Sequence, residues 1–580
     1  MKVVCILVVL LLGAFFPASA AQSGPEEAFE RLYQEEWTWR QARSLGSGDV
    51  MPRHLPDVSP EAQAEKLAYW EEVQRELEAI DPSGLSRRAR IDHAVYAAQI
   101  EDLIAAQRFR EYEIPLNSSG GFWTGLAYMS RRPLRTEDDY RNYLTLLGEI
   151  PRYFAQQREN MEAGLARGFT PARVALQGRE EMLAAIANAA RPGDVVFHAP
   201  FEEMPAAIPA GRQEALRQEA AAVIEGSVIP AYRDLLAFFR DEYIPNSRQT
   251  LAASDLPDGE AYYGWKVRQY TTLDRTAGEV HAIGLEEVAA IRERMMDVME
   301  QAGFKGSLSD FLAFLRSDAR FYAETPADYL KEAAWISKQF DGVAGDYFGR
   351  LPRSRFTIEA FPPDIAPFTS GAAGGRDTYW LNTYNLSTRP LYSLRALTLH
   401  ESAPGHSFQT SLAAENEARP EFRREVYISA YGEGWALYCE KLGIEMGLYE
   451  TPYDMFGMLS YQMWRAARLV VDTGLHAEGW SRDQAIRYLL DNTAIGEHEI
   501  TTEIDRYITN PGQALSYYTG MMAIEEAREK AEDALGGDFD IRAFHDTILD
   551  MGGVPLPVLA ARIDGFIADG GRSPHAEGER

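Results

Sequence analysis

The chain has 580 residues, of which 87 are acidic and 58 are basic, giving a formal net charge of −29 at pH 7. This charge argues against a nucleic-acid partner, because neutralising phosphates requires a basic surface, and it disfavours docking on anionic lipid. The hydrophobic fraction of 46% is above that of a disordered acidic chain, so the protein can bury a large core.

The first twenty residues have the three parts of a secretory signal peptide. Met1 and Lys2 form a short positive region, residues 3–16 are apolar, and residues 18–20 read Ala-Ser-Ala, a small-residue cleavage site. The apolar run has 14 residues, whereas a membrane span needs about 20. We therefore expect an exported protein, periplasmic or secreted, without stable membrane insertion after cleavage. The alternative is a short N-terminal anchor.

Cleavage after residue 20 removes one lysine and one of the two cysteines. The net charge then becomes 57 − 87 = −30, and Cys439 is the single remaining cysteine. An internal disulfide is then impossible, so the stability of the exported protein must come from its core. Cys439 lies in a helical stretch, and we expect a small buried residue rather than a nucleophile.

Most of the mature chain is predicted to be helical. Between residues 89 and 109, apolar side chains recur with the 3.6-residue period of an amphipathic helix. Helix starts are marked by a hydroxyl side chain that precedes proline, or that stands three residues before a carboxyl or amide side chain. These start signals are Ser59-Pro60, Thr136 with Asp139, Thr170-Pro171, Thr325-Pro326 with Asp328, and Ser481 with Gln484.

One region interrupts the helical pattern. Residues 355–361 alternate between apolar and polar, and residues 378–384 are rich in aromatic and β-favouring side chains, so both are predicted strands. The glycine-rich stretch 371–375 is predicted to be a flexible turn between them. No change in composition marks a domain boundary, so we expect one large helical fold with a central cleft and a small β-sheet. That domain spans residues 21–569, and residues 570–580 form a disordered tail.

The predicted helix after the second strand ends in His400-Glu401, and His406 follows. Zinc hydrolases present two imidazoles to the metal and a carboxylate to its water in this manner. Their histidines are usually four residues apart, whereas a spacing of six turns the two side chains about 120° apart on a straight helix. Pro404-Gly405 can break the helix and direct His406 back to a metal. The alternative is an ordinary His-Glu pair, because His498-Glu499 repeats the dipeptide.

A further carboxylate source follows downstream. Glu433 and Glu440 are seven residues apart, which puts them on one helix face, and glycines on both sides of Glu433 permit close packing against another helix. A third zinc ligand on a separate helix leaves the fourth position open for water, as catalysis requires. The alternative is a solvated face, but the flanking run Trp435-Ala436-Leu437 favours burial.

These residues carry a resemblance to a known family. Together with other segments along nearly the whole mature chain, they resemble the bacterial domain-of-unknown-function 885 family (DUF885). One departure is Ser407, where the family commonly has another histidine. The resemblance implies a mainly α fold similar to the gluzincin metallopeptidases of the thimet-oligopeptidase and angiotensin-converting-enzyme type. The matching segments are GG at 374–375, YWLNTY at 379–384, HESAPGHSFQ at 400–409, VVDTGLH at 470–476, GWSR at 479–482, RYI at 506–508 and PGQALSY at 511–517.

The resemblance also implies roles for single residues. His400, His406 and Glu433 are the implied ligands of one Zn²⁺ ion per chain. Glu401 is the implied general base, which takes a proton from water and passes it to the leaving amine. Tyr517 is implied to stabilise the developing oxyanion. Tyr518, the next residue, is the alternative for this role. Either tyrosine could instead be a core aromatic residue.

Further candidates for substrate binding or for support of the site are less specific. The strand at 378–384, with Asn382, is expected to bind a peptide added as a neighbouring strand. Arg468, Asp472 and His476 share a helix face, which favours a structural ion-pair ladder. The alternative is that Asp472 or His476 steadies a ligand. Tyr518 belongs to the same set, and the charged cluster at 497–499 is expected at the surface.

These predictions favour an exported zinc-dependent metallopeptidase that hydrolyses peptide bonds, acting on short peptides if helices enclose a deep cleft. Two alternatives stay open. The same metal-activated water serves another amide hydrolase, and a peptide-binding protein could keep the fold without catalysis. Substrate sequence, cleavage end and oligomeric state are not predicted.

Overall fold

The computed structural model describes residues 24–46, 50–363 and 366–575. The predicted signal peptide lies outside these residues, as do residues 576–580 of the predicted tail. Residues 570–575 of that tail are described, and within them the hydroxyl of Ser573 donates a hydrogen bond to Asp546 at 3.4 Å. None of the helices in the described ranges has the length and apolar character needed to cross a bilayer.

The first half of the described chain is mainly helical and contains one two-stranded sheet, in which β1 and β2 are antiparallel. Its elements are α1 (Pro25–Gln41), α2 (Pro60–Glu78), α3 (Arg87–Phe109), β1 (Leu116–Asn117), β2 (Gly120–Gly121), α4 (Phe122–Met129), α5 (Glu137–Arg167), α6 (Arg173–Leu176), α7 (Glu181–Ala187), α8 (Ala210–Val223), α9 (Ile229–Phe238) and α10 (Ile244–Asn246).

The second half is also mainly helical and contains a three-stranded sheet. Its elements are α11 (Gly259–Thr271), α12 (Ala277–Gln301), α13 (Leu308–Ser317), α14 (Pro326–Tyr347), β3 (Thr357–Ala360), β4 (Ala372–Gly374), β5 (Thr378–Leu381), α15 (Leu391–Glu401), α16 (His406–Glu415), α17 (Glu421–Glu425), α18 (Ser429–Glu445), α19 (Pro452–His476), α20 (Arg482–Asn492), α21 (Glu497–Thr509), α22 (Ser516–Leu535), α23 (Ile541–Met551) and α24 (Leu556–Ala568).

The predicted helix at 89–109 is confirmed as α3, and four of the five start signals are confirmed as caps at α2, α5, α14 and α20. The start predicted at Thr170-Pro171 is wrong. Thr170 is buried, its hydroxyl accepts a hydrogen bond from the backbone N–H of Arg248, and its carbonyl accepts from the Arg248 guanidinium. The cap hydroxyl is therefore engaged by a distant segment, and α6 begins later, at Arg173.

The small sheet confirms the two predicted strands and corrects the segment between them. The strand order is β3-β5-β4, with β3 parallel and β4 antiparallel to β5. Residues 372–374, predicted to belong to a flexible turn, form strand β4. The strand β5 is therefore central, and both of its edges are paired. A peptide cannot add beside β5 as we expected, because its backbone hydrogen-bonding groups already have partners.

The apolar side chains form two large cores. One surrounds α12, α15, α18, α19 and α22, and the other joins α5, α8 and α9. Helix α19 is buried along nearly its whole length and packs against α12 and α15. Helix α18 packs against α22, and it carries Cys439, which is fully buried as predicted. Helices α15, α18 and α22 bring the candidate site residues together.

Candidate metal centre

The chain reverses between α15 and α16, directly after His400. Gly405 occupies a position where a Cβ atom would lie 1.8 Å from the carbonyl oxygen of His400, so a larger residue does not fit there. The Gly405 N–H donates a hydrogen bond to the carbonyl of Leu399 at 3.0 Å. This tight reversal, which includes a cis peptide bond before Pro404, starts α16 at His406. The rings of His400 and His406 are consequently 4.9 Å apart and nearly perpendicular.

Helix α18 brings a carboxylate to the same place. A Cβ atom on Gly434 would lie 2.4 Å from the backbone of Gly520 in α22, so the two helices touch backbone to backbone. This contact confirms the close helix packing predicted from the glycines around Glu433. One oxygen of Glu433, Oε2, lies 3.5 Å from Nε2 of His400 and 3.3 Å from Nε2 of His406.

The three side chains fit a zinc ion in donor type and in spacing. The ligand atoms of His400, His406 and Glu433 all lie within 4.8 Å of one another. Two ligands of a tetrahedral zinc ion, with bonds of about 2.0–2.1 Å, are about 3.3–3.4 Å apart. The two imidazole–carboxylate separations of 3.5 Å and 3.3 Å are close to that value.

Two neighbouring side chains fix the orientation of these ligands. Nδ1 of His400 forms a 2.7 Å hydrogen bond with Oε1 of Glu440, which is fully buried, and this leaves Nε2 free to face the metal position. The phenol of Tyr427 donates to Oε1 of Glu433 at 2.9 Å, which leaves Oε2 for the two imidazoles. The spacing of Glu433 and Glu440 correctly predicted that they share a helix face, but it predicted no role for Glu440. No sequence pattern indicated Tyr427.

The imidazole of His400 and the carboxyl of Glu433 shift each other's pKa. Burial opposes ionisation of Glu433, but the charges of His406 and His400 and their hydrogen bonds hold the pKa of its carboxyl well below the usual range. Burial also lowers the pKa of His400, but hydrogen bonds to Glu433 and Glu440 outweigh it and raise this pKa to about 9. A proton on the imidazole thus supplies the positive charge when no metal does.

Glu401 lies against the edge of the small sheet. Its Oε2 accepts a hydrogen bond from the backbone N–H of Gly374 at 2.6 Å, and a Cβ atom on Gly374 would lie 1.9 Å from the backbone oxygen of Glu401. Strand β4 therefore holds the side chain of Glu401 in place beside the two histidines. The edge of the sheet that reaches the site is β4, the segment that we had predicted to be a turn.

Tyr517 faces the site, whereas Tyr518 does not. The rings of Tyr517 and His400 are nearly parallel, with 6.4 Å between their centroids. The guanidinium of Arg468 lies 4.4 Å from the centre of the tyrosine ring. Burial, together with the charge of Glu433, raises the pKa of Tyr517. The hydroxyl of Tyr518 points elsewhere and donates to Glu287 at 2.6 Å.

Asn382 is placed outside the site. It is 1% exposed, and its amide nitrogen donates hydrogen bonds to the carbonyls of Ala366, Thr369 and Ser370. Its side-chain oxygen accepts from the backbone N–H of Tyr384. All of these partners are backbone groups, so Asn382 holds the loop before β4 and is not placed to contact substrate.

Asp472 and His476 are also structural. Asp472 accepts hydrogen bonds from the Tyr263 hydroxyl at 2.7 Å and from a backbone N–H, and burial raises the pKa of its carboxyl to about 7. Both ring nitrogens of His476 bond to backbone groups, and burial lowers the pKa of this histidine to about 3. The ion-pair ladder predicted on this helix face does not form, because Arg468 pairs with Glu503 at 2.9 Å instead.

The guanidinium groups of Arg465 and Arg468 lie over the ring of Tyr517. Arg468 and Arg506 both pair with Glu503. Burial raises the pKa of the Glu503 carboxyl, but the charges of the two arginines outweigh burial and lower this pKa to about 2. Glu499, expected at the surface, is instead half-buried and pairs with Arg389 at 3.4 Å. Helix α21 thus supplies carboxylates that pair with these arginines.

The fold and the site together define a mainly helical protein in which two histidines and one glutamate, from α15, α16 and α18, converge beside a small sheet. The chain belongs to the DUF885 family, a bacterial protein family of unknown function, whose sequence pattern matches residues 40–563. No curated protein matches the chain in sequence.

Two solved structures are similar to this chain. A "putative lipoprotein" from Colwellia psychrerythraea has a TM-score of 0.85 and 26% sequence identity, covering 94% of this chain and 98% of that chain. A "putative lipoprotein of unknown function" from Shewanella oneidensis has a TM-score of 0.67 and 18% identity, covering 93% of this chain and 98% of that chain. The second likeness concerns the fold alone.

Proposed function

We propose that the chain is an exported zinc-dependent hydrolase that cleaves peptide bonds, with short peptides as substrates. The observation that carries the proposal is the convergence of His400, His406 and Glu433, whose two imidazole–carboxylate separations are near the tetrahedral value, with Glu401 beside them. Export is supported by the signal-peptide pattern of residues 1–20 and by the description of the similar Colwellia protein as a "putative lipoprotein".

Five residues carry the proposed reaction, with separate roles in metal binding, proton transfer and stabilisation of the oxyanion. His400, His406 and Glu433 would hold Zn²⁺, which when bound acidifies water and polarises a carbonyl group. Glu401 accepts a proton from the attacking water as the new C–O bond forms. As the C–N bond breaks, Glu401 returns that proton to the leaving amine nitrogen. Tyr517 donates its hydroxyl hydrogen bond to the oxygen on which negative charge develops.

The small sheet supports a peptide as the substrate. Strand β4 pairs with β5 on one side only, and its other edge reaches Glu401 through Gly374. An extended peptide that adds along this edge would meet the general base directly, because Glu401 holds the N–H of Gly374 there. A glycine-flanked strand followed by a helix with the His-Glu pair is also the order that the resemblance to the gluzincin metallopeptidases implies. The strand proposed to bind the peptide is therefore β4, whereas the sequence predicted β5.

The metal requirement is the first test of this proposal. We expect elemental analysis of the purified mature chain to find one zinc per chain, and a chelator to abolish cleavage of a mixed peptide pool. Readdition of zinc should restore the cleavage. If the protein binds no zinc and gains no activity from added zinc, the hydrolase proposal is wrong, and the alternative of a peptide-binding protein is favoured.

The adjacent tyrosines provide a matched pair of variants for the oxyanion role. Tyr517→Phe should lower kcat by about 10²-fold, since one donor to an oxyanion has about this effect. Tyr518→Phe removes a hydroxyl that points away from the site and should leave kcat near that of the wild type. Steady-state kinetics on one peptide measures both. Equal losses in the two variants would contradict the assignment of Tyr517.

A further inference from the structure

A large cavity lies beside the metal centre, between α1, α3, α11 and the segment that leads into α18. Its volume is about 430 Å³, within the range of about 300–1,000 Å³ that is typical of ligand pockets. Much of the wall is apolar or aromatic, and such walls favour uncharged ligand groups. The apolar lining includes Trp37, Ala98, Leu103, Phe422, Val426 and Ile428.

The charged side chains of this wall are paired or face solvent. The guanidinium of Arg40 forms a two-pronged ion pair with Glu36, with distances of 2.8 Å and 2.6 Å. Asp102 accepts a hydrogen bond from the Trp265 indole at 3.0 Å. Glu425, the third charged residue of the lining, is exposed. Arg40, the cation among the lining residues, is therefore already paired and offers no free positive charge to an acidic ligand.

Three polar atoms of the lining residues lack partners. Within the described parts of the chain, Nε2 of Gln99, Oε1 of Gln269 and Oγ of Ser429 are buried without a hydrogen bond. Arg40 donates to Oε1 of Gln99 at 3.2 Å, which fixes that amide with its nitrogen unpaired. The last torsion of a glutamine is soft, so a small rotation turns each amide to a ligand. A peptide backbone supplies both the acceptors and the donors that these groups need.

Tyr427 links the cavity to the metal centre. This residue lines the cavity, and its hydroxyl donates to the ligand Glu433 at 2.9 Å. Ser429, which also lines the cavity, begins α18 four residues before Glu433. A ligand in the cavity therefore contacts the side chain that orients a metal ligand.

We propose that this cavity binds an uncharged stretch of peptide with apolar side chains, adjacent to the bond that is cleaved. The proposal rests on the hydrolase function for its biological role. It names the substrate class as apolar, uncharged peptides, and it makes Gln99, Gln269 and Ser429 the groups that bind the peptide backbone. Tyr427 is a positioning residue between the cavity and Glu433.

Calorimetry can test binding without turnover. The probe is N-acetyl-Leu-Phe-Leu-amide, titrated into the zinc-supplemented mature chain carrying Glu401→Gln, with N-acetyl-Glu-Glu-Glu-amide as the charged comparison. We expect the apolar peptide to bind with a negative heat-capacity change and the acidic peptide to bind at least tenfold more weakly. Equal binding of both peptides, or no binding of the apolar one, would overturn the inference.

Variants in the same background locate the binding. Ala98→Phe, which fills the cavity, and Gln99→Leu, which removes the unpaired donor, should each weaken binding of the apolar peptide by about tenfold, the effect of about one hydrogen bond to an amide. Gln107→Leu is the matched control, because Gln107 lies on the same helix but not among the lining residues. Circular dichroism should show that each variant is folded.

The outcomes separate the two proposals. If the wild-type chain cleaves peptides but Ala98→Phe and Gln99→Leu both bind the apolar probe as tightly as the control, the cavity inference is wrong and the hydrolase function stands. If the two variants lose binding but the wild-type chain shows no zinc-dependent cleavage, the cavity binds peptide and the hydrolase function is wrong.

Discussion

Replacing Glu401 by glutamine is expected to reduce kcat for peptide hydrolysis by about 10³–10⁴-fold, because the amide cannot accept the proton of the attacking water. Glutamine keeps the shape of the side chain, and its carbonyl oxygen can still accept from the Gly374 N–H. Zinc content should therefore stay at one per chain. The measurement is steady-state kinetics on a single peptide, combined with elemental analysis of the same preparation.

The matched control is Glu497→Gln, which makes the same chemical change on an exposed residue of α21. We expect wild-type kinetics from this variant. Retention of more than a tenth of the wild-type kcat in Glu401→Gln would remove this residue from the role of general base. Loss of zinc from Glu401→Gln would show instead that the carboxylate is needed for metal binding.

Gly520→Ala is expected to destabilise the protein and to disrupt the site. A Cβ atom at this position would lie 1.8 Å from the carbonyl oxygen of Ala430. The backbones of both helices are rigid, so neither can shift locally to relieve this contact. The helices α18 and α22 must then separate, and overpacking of this kind costs about 3 kcal/mol of unfolding free energy. Separation also moves Glu433 away from Tyr517, so we expect loss of turnover in the fraction that remains folded.

Gly342→Ala is the corresponding control. Gly342 is an exposed position inside α14, and a Cβ atom there would meet nothing within 4 Å. Alanine has the higher helix propensity, so this variant should gain about 0.5–1 kcal/mol of stability. Urea denaturation of both variants measures the two changes. An unchanged midpoint for Gly520→Ala would contradict the backbone contact between the helices.

The predictions that succeeded depend on signals within a few residues of sequence. Thr136 and Asp139 are three positions apart and form a reciprocal cap at the start of α5, which needs no information from elsewhere in the chain. The spacing of Glu433 and Glu440 likewise fixes one helix face, whatever that helix packs against. Local rules therefore gave helix α3, the starts of four other helices and the shared helix face of the two carboxylates.

The predictions that failed depend on partners far away in the sequence. Thr170 has the residue type of a helix cap, but Arg248 occupies its hydroxyl and its carbonyl. Strand β4 contains only alanine and glycine, which have little preference for strands, and it is extended because β5 supplies its hydrogen-bond partners. Contacts of this kind do not appear in periodicity or in capping patterns.

The supporting residues of the metal centre were the hardest to foresee. Tyr427 lies between α17 and α18, in a segment without periodicity, and only the folded chain shows that its hydroxyl meets Glu433. Asn382 shows the reverse case. It stands next to β5 in sequence and looked available for substrate, yet the backbone carbonyls of the preceding loop use its amide nitrogen.

Cys439 has a consequence for how the protein is made. It is the single cysteine among the described residues, it is fully buried in α18, and burial raises the pKa of its thiol well above the usual range. Folding of the described chain therefore involves no oxidative step, and the redox state of the compartment does not decide whether it succeeds. A version that begins after the predicted signal peptide should reach the native state in a reducing cytosol as readily as outside it.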